Sequence, residues 1–134
     1  MFKIISIVLI YSFFFLCYAE DKNNEIEISS EVMEWKRGDN IAIALGQAKA
    51  IQGNRILSAE KIVVYFNTIK DEKKIFKLEA YGKVKFANKE QFARGDNATY
   101  FVDNQTIIMK GNVKLEREES LMVGEELSID LKNN

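Results

Sequence analysis

The sequence predicts an all-β fold, either a sandwich or a jelly roll, built from bent antiparallel strands. Apolar and polar residues alternate with a period of two over most of the chain, as in strands that bury one face. The same local pattern returns three times, starting at Gly46, Gly82 and Gly111, which indicates a repeat. Each predicted strand also contains a glycine or another small residue near its middle, where strands bend or bulge.

The first nineteen residues have the features of an export signal. One lysine precedes sixteen residues without a charge, 4–19, and two acidic residues follow. A basic start, an apolar stretch and a small residue at Ala19 are typical of a cleavable secretory signal, and the stretch is shorter than the roughly 20 residues that span a bilayer. We therefore expect a signal peptide at 1–19 and a single domain at 20–134. The alternative is that the apolar stretch stays as a membrane anchor.

The expected mature domain contains no cysteine, histidine or proline. Without histidine and cysteine, neither the usual zinc sites nor Ser-His-Asp triads and Cys-His dyads can be assembled. The chain carries a net charge of −1 with both signs mixed along it, so no basic block is available to bind nucleic acid. We therefore expect no enzyme activity, no cofactor, no metal site and no nucleic-acid partner. An exported domain without disulfides fits a bacterial envelope compartment.

The repeat defines the predicted elements in order. The three anchor glycines open the segments "GQAKAI", "GKVKFA" and "GNVKLE", and a small residue followed by an acid lies thirteen positions further on. These pairs are Ala59-Glu60, Gly95-Asp96 and Gly124-Glu125. A half-copy with Glu31 in the place of the acid precedes the first full copy, so the chain reads as about three and a half repeats of 29 residues. The first copy is longer, and its extra residues fall in "NTIKDEKK", which we expect to be a charged surface loop.

Stacked units of this kind enclose a continuous apolar interior between two sheets. If the sheets do not close, the interior is a groove suited to acyl chains. The residues expected to line the groove share the inward parity of their strands: Met33, Trp35, Ala48, Ala50, Ile62, Val64, Phe66, Val84, Phe86, Tyr100, Val102, Val113, Leu115, Ile129 and Leu131. The same residues could form an ordinary core instead. At "NIAIALG" the parity stays open, because the larger apolar residues at 41, 43 and 45 compete with Ala42 and Ala44.

Two surface features complete the pattern. Lys49, Lys85 and Lys114 recur three positions past the anchor glycines, and we expect a solvated outer face there that discourages edge pairing. Contact of these lysines with lipid phosphates is the alternative. The first and last strands, within 26–35 and 127–131, are expected to expose unpaired backbone, to which partner strands can add.

The segment "ISSEVMEWKRGDNIAIALGQAKAIQGNRILSAEKIVVYF" resembles the LptA/OstA-like domain of lipopolysaccharide transport. The shared order is an acidic-apolar strand, a "G-x-(A/V)" strand and then "(A/G)-(D/E)-x-apolar-x-apolar", and it covers about residues 26–132. The resemblance implies a periplasmic, open β-jelly roll shaped like a slightly sprung V. It also implies a role in passing lipopolysaccharide from an inner-membrane extractor to an outer-membrane translocon. This chain is short for the family, which predicts a shorter groove.

The sequence therefore predicts a periplasmic lipopolysaccharide-binding transport protein that carries lipid A acyl chains in its groove. The expected partners are lipopolysaccharide and the related jelly-roll domains of the inner-membrane transporter complex and the outer-membrane translocon, joined through edge strands. A head-to-tail homo-oligomer is a further assembly that such edges allow. Two other functions stay open: an inner-membrane-anchored sister component with the same fold, and a structural β-repeat module that mediates protein contacts without binding lipid.

Overall fold

The computed structural model of the protein describes residues 25–132. The predicted signal peptide lies outside the described residues. Within 25–132, no helix is long and apolar enough to cross a membrane.

The described chain forms one antiparallel sheet of eight strands. The strands are β1 (Glu27–Ser29), β2 (Val32–Lys36), β3 (Ile41–Gln52), β4 (Arg55–Ile69), β5 (Glu72–Ala87), β6 (Gln91–Phe101), β7 (Thr106–Arg117) and β8 (Ser120–Asp130). Strands β3 to β8 are neighbours in chain order, while β1 and β2 both pair with β3 and form the two halves of the first edge. The predicted all-β fold of antiparallel strands is confirmed.

The hairpin between β4 and β5 corrects one expectation. The segment "NTIKDEKK" is not a loop, because the strands stay paired from Phe66 opposite Ile75 to Ile69 opposite Glu72. Only Lys70 and Asp71 form the turn. Both have positive φ, 51° and 64°, as the type I′ turn of a tight hairpin requires. Charge misled the prediction, since lysines and acids are compatible with strands whose faces are exposed to solvent.

The predicted bends occur at the anchor glycines. Gly82 has a φ of 82° and Lys83 a φ of 48°, a left-handed conformation that glycine adopts without steric cost. Between the pairs Tyr81–Asn97 and Val84–Gly95, two residues of β5 therefore lie opposite one residue of β6, which is a β-bulge. The other two anchor glycines have the same backbone conformation and the same slip in register.

The bulges line up across the sheet in one row, which we call the acid–glycine row. Its members, in the order of the strands, are Glu31, Gly46-Gln47, Glu60, Gly82-Lys83, Asp96, Gly111-Asn112 and Glu125. The row divides the sheet into two arms. Arm A comprises 48–59, 84–95 and 113–124, together with β1, and arm B comprises 41–45, 61–81, 97–110 and 126–131, together with β2.

The sheet folds along the acid–glycine row, so that the inner faces of the two arms pack against each other. Their buried side chains form one apolar cluster, which contains Ala50, Leu57 and Phe86 from arm A and Leu78 and Ile107 from arm B. Within residues 25–132, eight of the 21 buried apolar residues are alanines, which lets the arms approach closely. At "NIAIALG" the alanines face the interior. Ala42 and Ala44 are buried and lie opposite the larger Val64 and Ile62 of β4.

Candidate functional site

Most of the residues predicted to line the groove lie in the interior between the arms. Eleven are buried: Ala48, Ala50, Ile62, Val64, Val84, Phe86, Tyr100, Val113, Leu115, Ile129 and Leu131. Phe66 and Val102 are partly buried and pack against this cluster. Met33 and Trp35 are 52 % and 44 % exposed. They lie opposite Ala44 and Ala42, so they share the inner face, but no arm covers it at that edge.

The sequence prediction missed several inner-face residues. Leu57, Leu78, Ala80, Ala93, Ala98, Ile107 and Met109 are all buried in the same cluster. The signal was available in the alternation: Leu78 and Ala80 have the same parity as Val84 and Phe86 on the other side of the bulge. Apart from Ala98, the missed residues precede the glycine or small residue near the middle of their strand, whereas the prediction followed the residues after it.

The interior between the arms is packed shut in this structure. A cavity lined by Ala50, Leu57, Phe86 and Leu78, among others, holds about 10 Å³, which is no more than one water molecule needs. An acyl chain therefore fits between the arms only if they separate along part of their length.

Polar groups fasten the arms beside this small cavity, whose lining also includes Gln52, Arg55, Tyr100 and Leu131, and we call this region the pinned end. The guanidinium of Arg55, on arm A, donates hydrogen bonds to Oε1 of Gln105 at 3.3 Å and to the carbonyl oxygen of Leu131 at 3.0 Å, both on arm B. The hydroxyl of Tyr100 donates to Oε1 of Gln52 at 2.6 Å. Burial raises the pKa of Tyr100, and the nearby Arg55 opposes the shift, so the hydroxyl keeps its proton and remains a donor. These bonds cross between the arms and hold them together.

A second cavity, the mouth cavity, opens to solvent beside the extended β4–β5 hairpin and holds about 580 Å³. Its apolar wall includes Phe66, Ile69, Ile75, Phe76 and Val102, and its charged wall includes Glu25, Lys73, Lys74 and Asp103. Trp35 packs beside it, with its ring centre 4.8 Å from that of Phe66, and the Lys73 ammonium lies 4.9 Å from the Trp35 ring. An apolar wall with ammonium groups at the opening can hold a hydrocarbon chain and an attached phosphate together.

Ile26 connects the two regions. Its side chain lines both the small interior cavity and the mouth cavity and packs, partly buried, against the core. A chain that passed from the mouth cavity into the interior would therefore meet Ile26 first.

The recurring lysines predicted from the sequence lie elsewhere. Lys49, Lys85 and Lys114 are exposed, and each has buried neighbours on both sides in its strand, so they face away from the interior. The ammonium groups at the mouth belong instead to Lys73 and Lys74, in the segment that was expected to be a loop.

The folded sheet, its apolar interior and the edges that stay unpaired within residues 25–132 define an open β-jelly roll. The chain belongs to the LptA/(LptD N-terminal domain) LPS transport protein family, whose model matches residues 27–134. The predicted family resemblance is thereby confirmed.

Two comparisons extend this result. The chain is similar in fold to the crystal structure of LptH, the LptA homologous periplasmic component of the conserved lipopolysaccharide transport device from Pseudomonas aeruginosa. The TM-score is 0.69 at 19 % identity, over 82 % of this chain and 78 % of that one, a likeness that shows the shared jelly roll. This chain is also 29 % identical over 112 residues to an uncharacterized protein of Rhizobium meliloti (strain 1021). The match covers 79 % of this chain and 60 % of that protein's length.

Proposed function

We propose that this protein is a periplasmic component of lipopolysaccharide transport that holds lipid A acyl chains between arms A and B. The observation that carries the proposal is the mouth cavity of about 580 Å³, whose apolar wall adjoins the continuous apolar interior. Acyl chains gain free energy when they leave water for such a surface, at about 0.8 kcal/mol per buried CH₂. Lys73 and Lys74 at the opening suit the phosphate groups of the lipid headgroup.

Because the interior is packed shut, acyl chains can enter it only by displacing side chains that already fill it. Acyl chains first occupy the mouth cavity and then displace Ile26 and wedge the arms apart, replacing contacts between the arms with contacts to lipid. Both arrangements bury apolar surface, so the exchange is close to neutral in free energy. Transfer to a similar interior in the next protein is near neutral for the same reason. The protein needs no cofactor and no catalytic step, and net direction comes from a partner that consumes ATP.

Assembly is the second part of the proposal. Strands β1–β2 and β8 have no neighbour on their outer side in residues 25–132, so related jelly-roll domains can add there and lengthen the sheet. In this way the protein joins the inner-membrane transporter complex to the outer-membrane translocon. A head-to-tail stack of its own copies is the other assembly that these edges permit.

In-cell photocrosslinking tests the lipid part. A photoreactive residue at Phe66 reports on the mouth cavity and one at Phe86 on the interior. Lys85, the neighbour of Phe86 on the opposite face, is the control. We expect lipopolysaccharide adducts at 66 and 86 and none at 85. Protein adducts without lipid at all three positions would contradict the proposal.

A structural β-repeat module without lipid is the second candidate function, and the closed interior, with a cavity of only about 10 Å³, favours it. The same experiment decides between the two, because this candidate predicts no lipid adduct at any position.

Export is tested separately from lipid binding. We propose that residues 1–19 are a cleaved signal peptide, with a retained membrane anchor as the alternative. The intact mass of the protein recovered from the periplasmic fraction distinguishes the two. A mass that includes residues 1–19, in protein recovered with the inner membrane, would identify the anchored component.

A further inference from the structure

The charged side chains at the mouth cavity have both signs and come from separate parts of the chain. Lys73 and Lys74 belong to the extended β4–β5 hairpin, Glu25 precedes β1, and Asp103 follows β6 in the turn to β7. All four line the same cavity of about 580 Å³. Its wall therefore carries two ammonium groups from one segment and two carboxylates from two others.

Backbone and core contacts hold these segments in place. The Val102 N–H donates a hydrogen bond to the carbonyl oxygen of Phe76 at 3.0 Å, which ties the β6–β7 turn to the β4–β5 hairpin. Ile26, the neighbour of Glu25, packs partly buried against the core. The acids and the lysines are thus presented around one opening by parts of the chain that are attached to the sheet.

The four charges do not neutralise one another. Within residues 25–132, neither lysine of the mouth forms an ion pair with Glu25 or Asp103. Elsewhere on the sheet, opposite charges that lie close together do pair, as Lys77 does with Glu79 at 3.2 Å. Charges of both signs that stay unpaired around one cavity are complementary to a ligand that itself carries both signs.

The apolar wall of the same cavity is incompletely covered. Ile69 and Phe76 are 48 % and 37 % exposed, and both belong to the cavity lining. The cavity volume lies within the range of pockets that enclose one small molecule, about 300–1,000 Å³. The mouth cavity can therefore hold one small amphiphile while arms A and B stay closed.

We propose that the mouth cavity also binds a phospholipid whose headgroup carries a phosphate and a primary ammonium, as phosphoethanolamine does. The phosphate lies against Lys73 and Lys74. The ammonium donates hydrogen bonds to the carboxylates of Glu25 and Asp103, and an acyl chain covers the apolar wall. Burial of the chain supplies affinity, whereas the charges select the headgroup.

Two other phospholipid headgroups fit this wall less well. A headgroup with a phosphate alone satisfies the lysines but leaves Glu25 and Asp103 without a partner and repels them, which selects against it. A phosphocholine headgroup has a quaternary ammonium, which has no N–H to donate to a carboxylate. The inference rests on the proposed role of the mouth cavity as a lipid site and adds a second class of ligand to it.

Single-chain probes test the preference on the purified protein. The probes are lysophosphatidylethanolamine, lysophosphatidylglycerol and lysophosphatidylcholine with the same lauroyl chain, titrated below their micelle concentrations and followed by isothermal titration calorimetry. We expect the ethanolamine lipid to bind about 5-fold more tightly than the glycerol lipid, as one or two partly exposed ion pairs provide. It should also bind more tightly than the choline lipid. Equal affinities for all three lipids, or binding of none, would overturn the proposal.

Removing the acids separates headgroup recognition from simple apolar binding. In Glu25→Gln/Asp103→Asn, the ethanolamine and glycerol lipids should bind with equal affinity, because the ammonium has lost its acceptors and the phosphate its repulsion. Glu118→Gln/Glu119→Gln is the matched control, since it removes the same charge from the exposed β7–β8 turn, and it should keep the preference. A preference that survives in the mouth variant, or is lost equally in both variants, contradicts the proposal.

Amide chemical shifts of ¹⁵N-labelled protein locate the bound lipid. We expect the ethanolamine lipid to shift residues 66–76 and 102–103, around the mouth cavity. Leu57 and Phe86, which line the closed interior, should not shift. Shifts centred on these two residues would show that the chain enters between the arms, against the proposed binding with the arms closed.

The result can be distinguished from that of the proposed function. Lipopolysaccharide adducts at Phe66 and Phe86 are measured in cells and do not require the two acids. If they form while the ethanolamine lipid shows no preference, lipopolysaccharide carriage stands and the phospholipid site fails. If the preference depends on the acids while no lipopolysaccharide adduct forms, the phospholipid site stands and the lipopolysaccharide proposal fails.

Discussion

The pinned end and the mouth cavity are two regions where the interior between the arms approaches the surface, and they are built differently. At the pinned end, Arg55 and Tyr100 make directional hydrogen bonds between the arms. At the mouth cavity the walls are Phe66, Ile75 and Val102, which have no such bonds. Hydrogen bonds of this kind fix one geometry, whereas apolar side chains exchange one apolar neighbour for another at little cost. The arms should therefore open from the mouth and stay joined at the pinned end.

The largest expected effect is on the free energy of unfolding, and it distinguishes the closed interior from the mouth cavity. Phe86 is 1 % exposed, and Phe86→Ala should lower the free energy of unfolding by about 3–5 kcal/mol, because it removes buried surface and leaves a cavity. Phe66→Ala, at the partly buried wall of the mouth, is the matched comparison and should cost clearly less. Urea denaturation of both variants measures the difference. Equal losses would mean that the mouth is as firmly packed as the interior.

The next effect concerns the pinned end itself. Arg55→Met keeps most of the apolar stem but leaves Gln105 and the Leu131 carbonyl without their donor, which should cost about 1–3 kcal/mol. Amide hydrogen exchange should accelerate at the end of β8, where Leu131 is held. Arg94→Met is the control, since Arg94 lies half exposed on the outer face, 3.9 Å from Glu116, and such pairs contribute little. If exchange accelerates equally in both variants, Arg55 does not hold the arms together.

The same contrast explains how much could be predicted from the sequence. The strands, the bends at Gly46, Gly82 and Gly111 and most of the interior follow from local signals, namely alternation and glycine spacing. The pinned end does not, because Arg55 and Gln105 are 50 positions apart and neither has a local pattern that marks it as a contact. Such contacts exist only once the sheet has folded on itself.

The mouth was missed for a different reason. Lys73 and Lys74 lie in a segment whose charge suggested a loop, while its pairing as strands depends on a two-residue turn at Lys70-Asp71 that has no glycine. The solvent exposure of Met33 and Trp35 could not be predicted from the sequence either. The inner-face parity of Met33 and Trp35 was readable from the sequence, but whether the opposite arm extends far enough to cover them depends on the whole fold.

Ile26 lies between the mouth cavity and the interior. Its substitution is expected to have a smaller effect on stability but a larger effect on where lipid binds. Ile26→Ala should cost about 1–2 kcal/mol, below the range for fully buried isoleucine, because Ile26 is only partly buried. It also removes the side chain that separates the mouth cavity from the interior. Lipid adducts at Phe86 should therefore increase relative to those at Phe66. Ile28→Ala, also partly buried against the core but not part of the mouth wall, is the control and should leave that ratio unchanged.

The smallest effect on stability is expected at the charged side of the mouth. Replacing Lys73 and Lys74 by glutamine should change the free energy of unfolding by less than about 1 kcal/mol, since both side chains are exposed and the contact of Lys73 with Trp35 is a surface cation–π pair. Lipopolysaccharide adducts at Phe66 should nevertheless fall. With purified protein and lipid they should fall more at low salt, where the ammonium groups attract phosphate most strongly. The matched variant Lys49→Gln/Lys85→Gln removes the same charge from the outer face. If it lowers the adducts equally, net charge and not the mouth lysines attracts the lipid; if only the mouth variant does, the lipid headgroup lies at the mouth cavity.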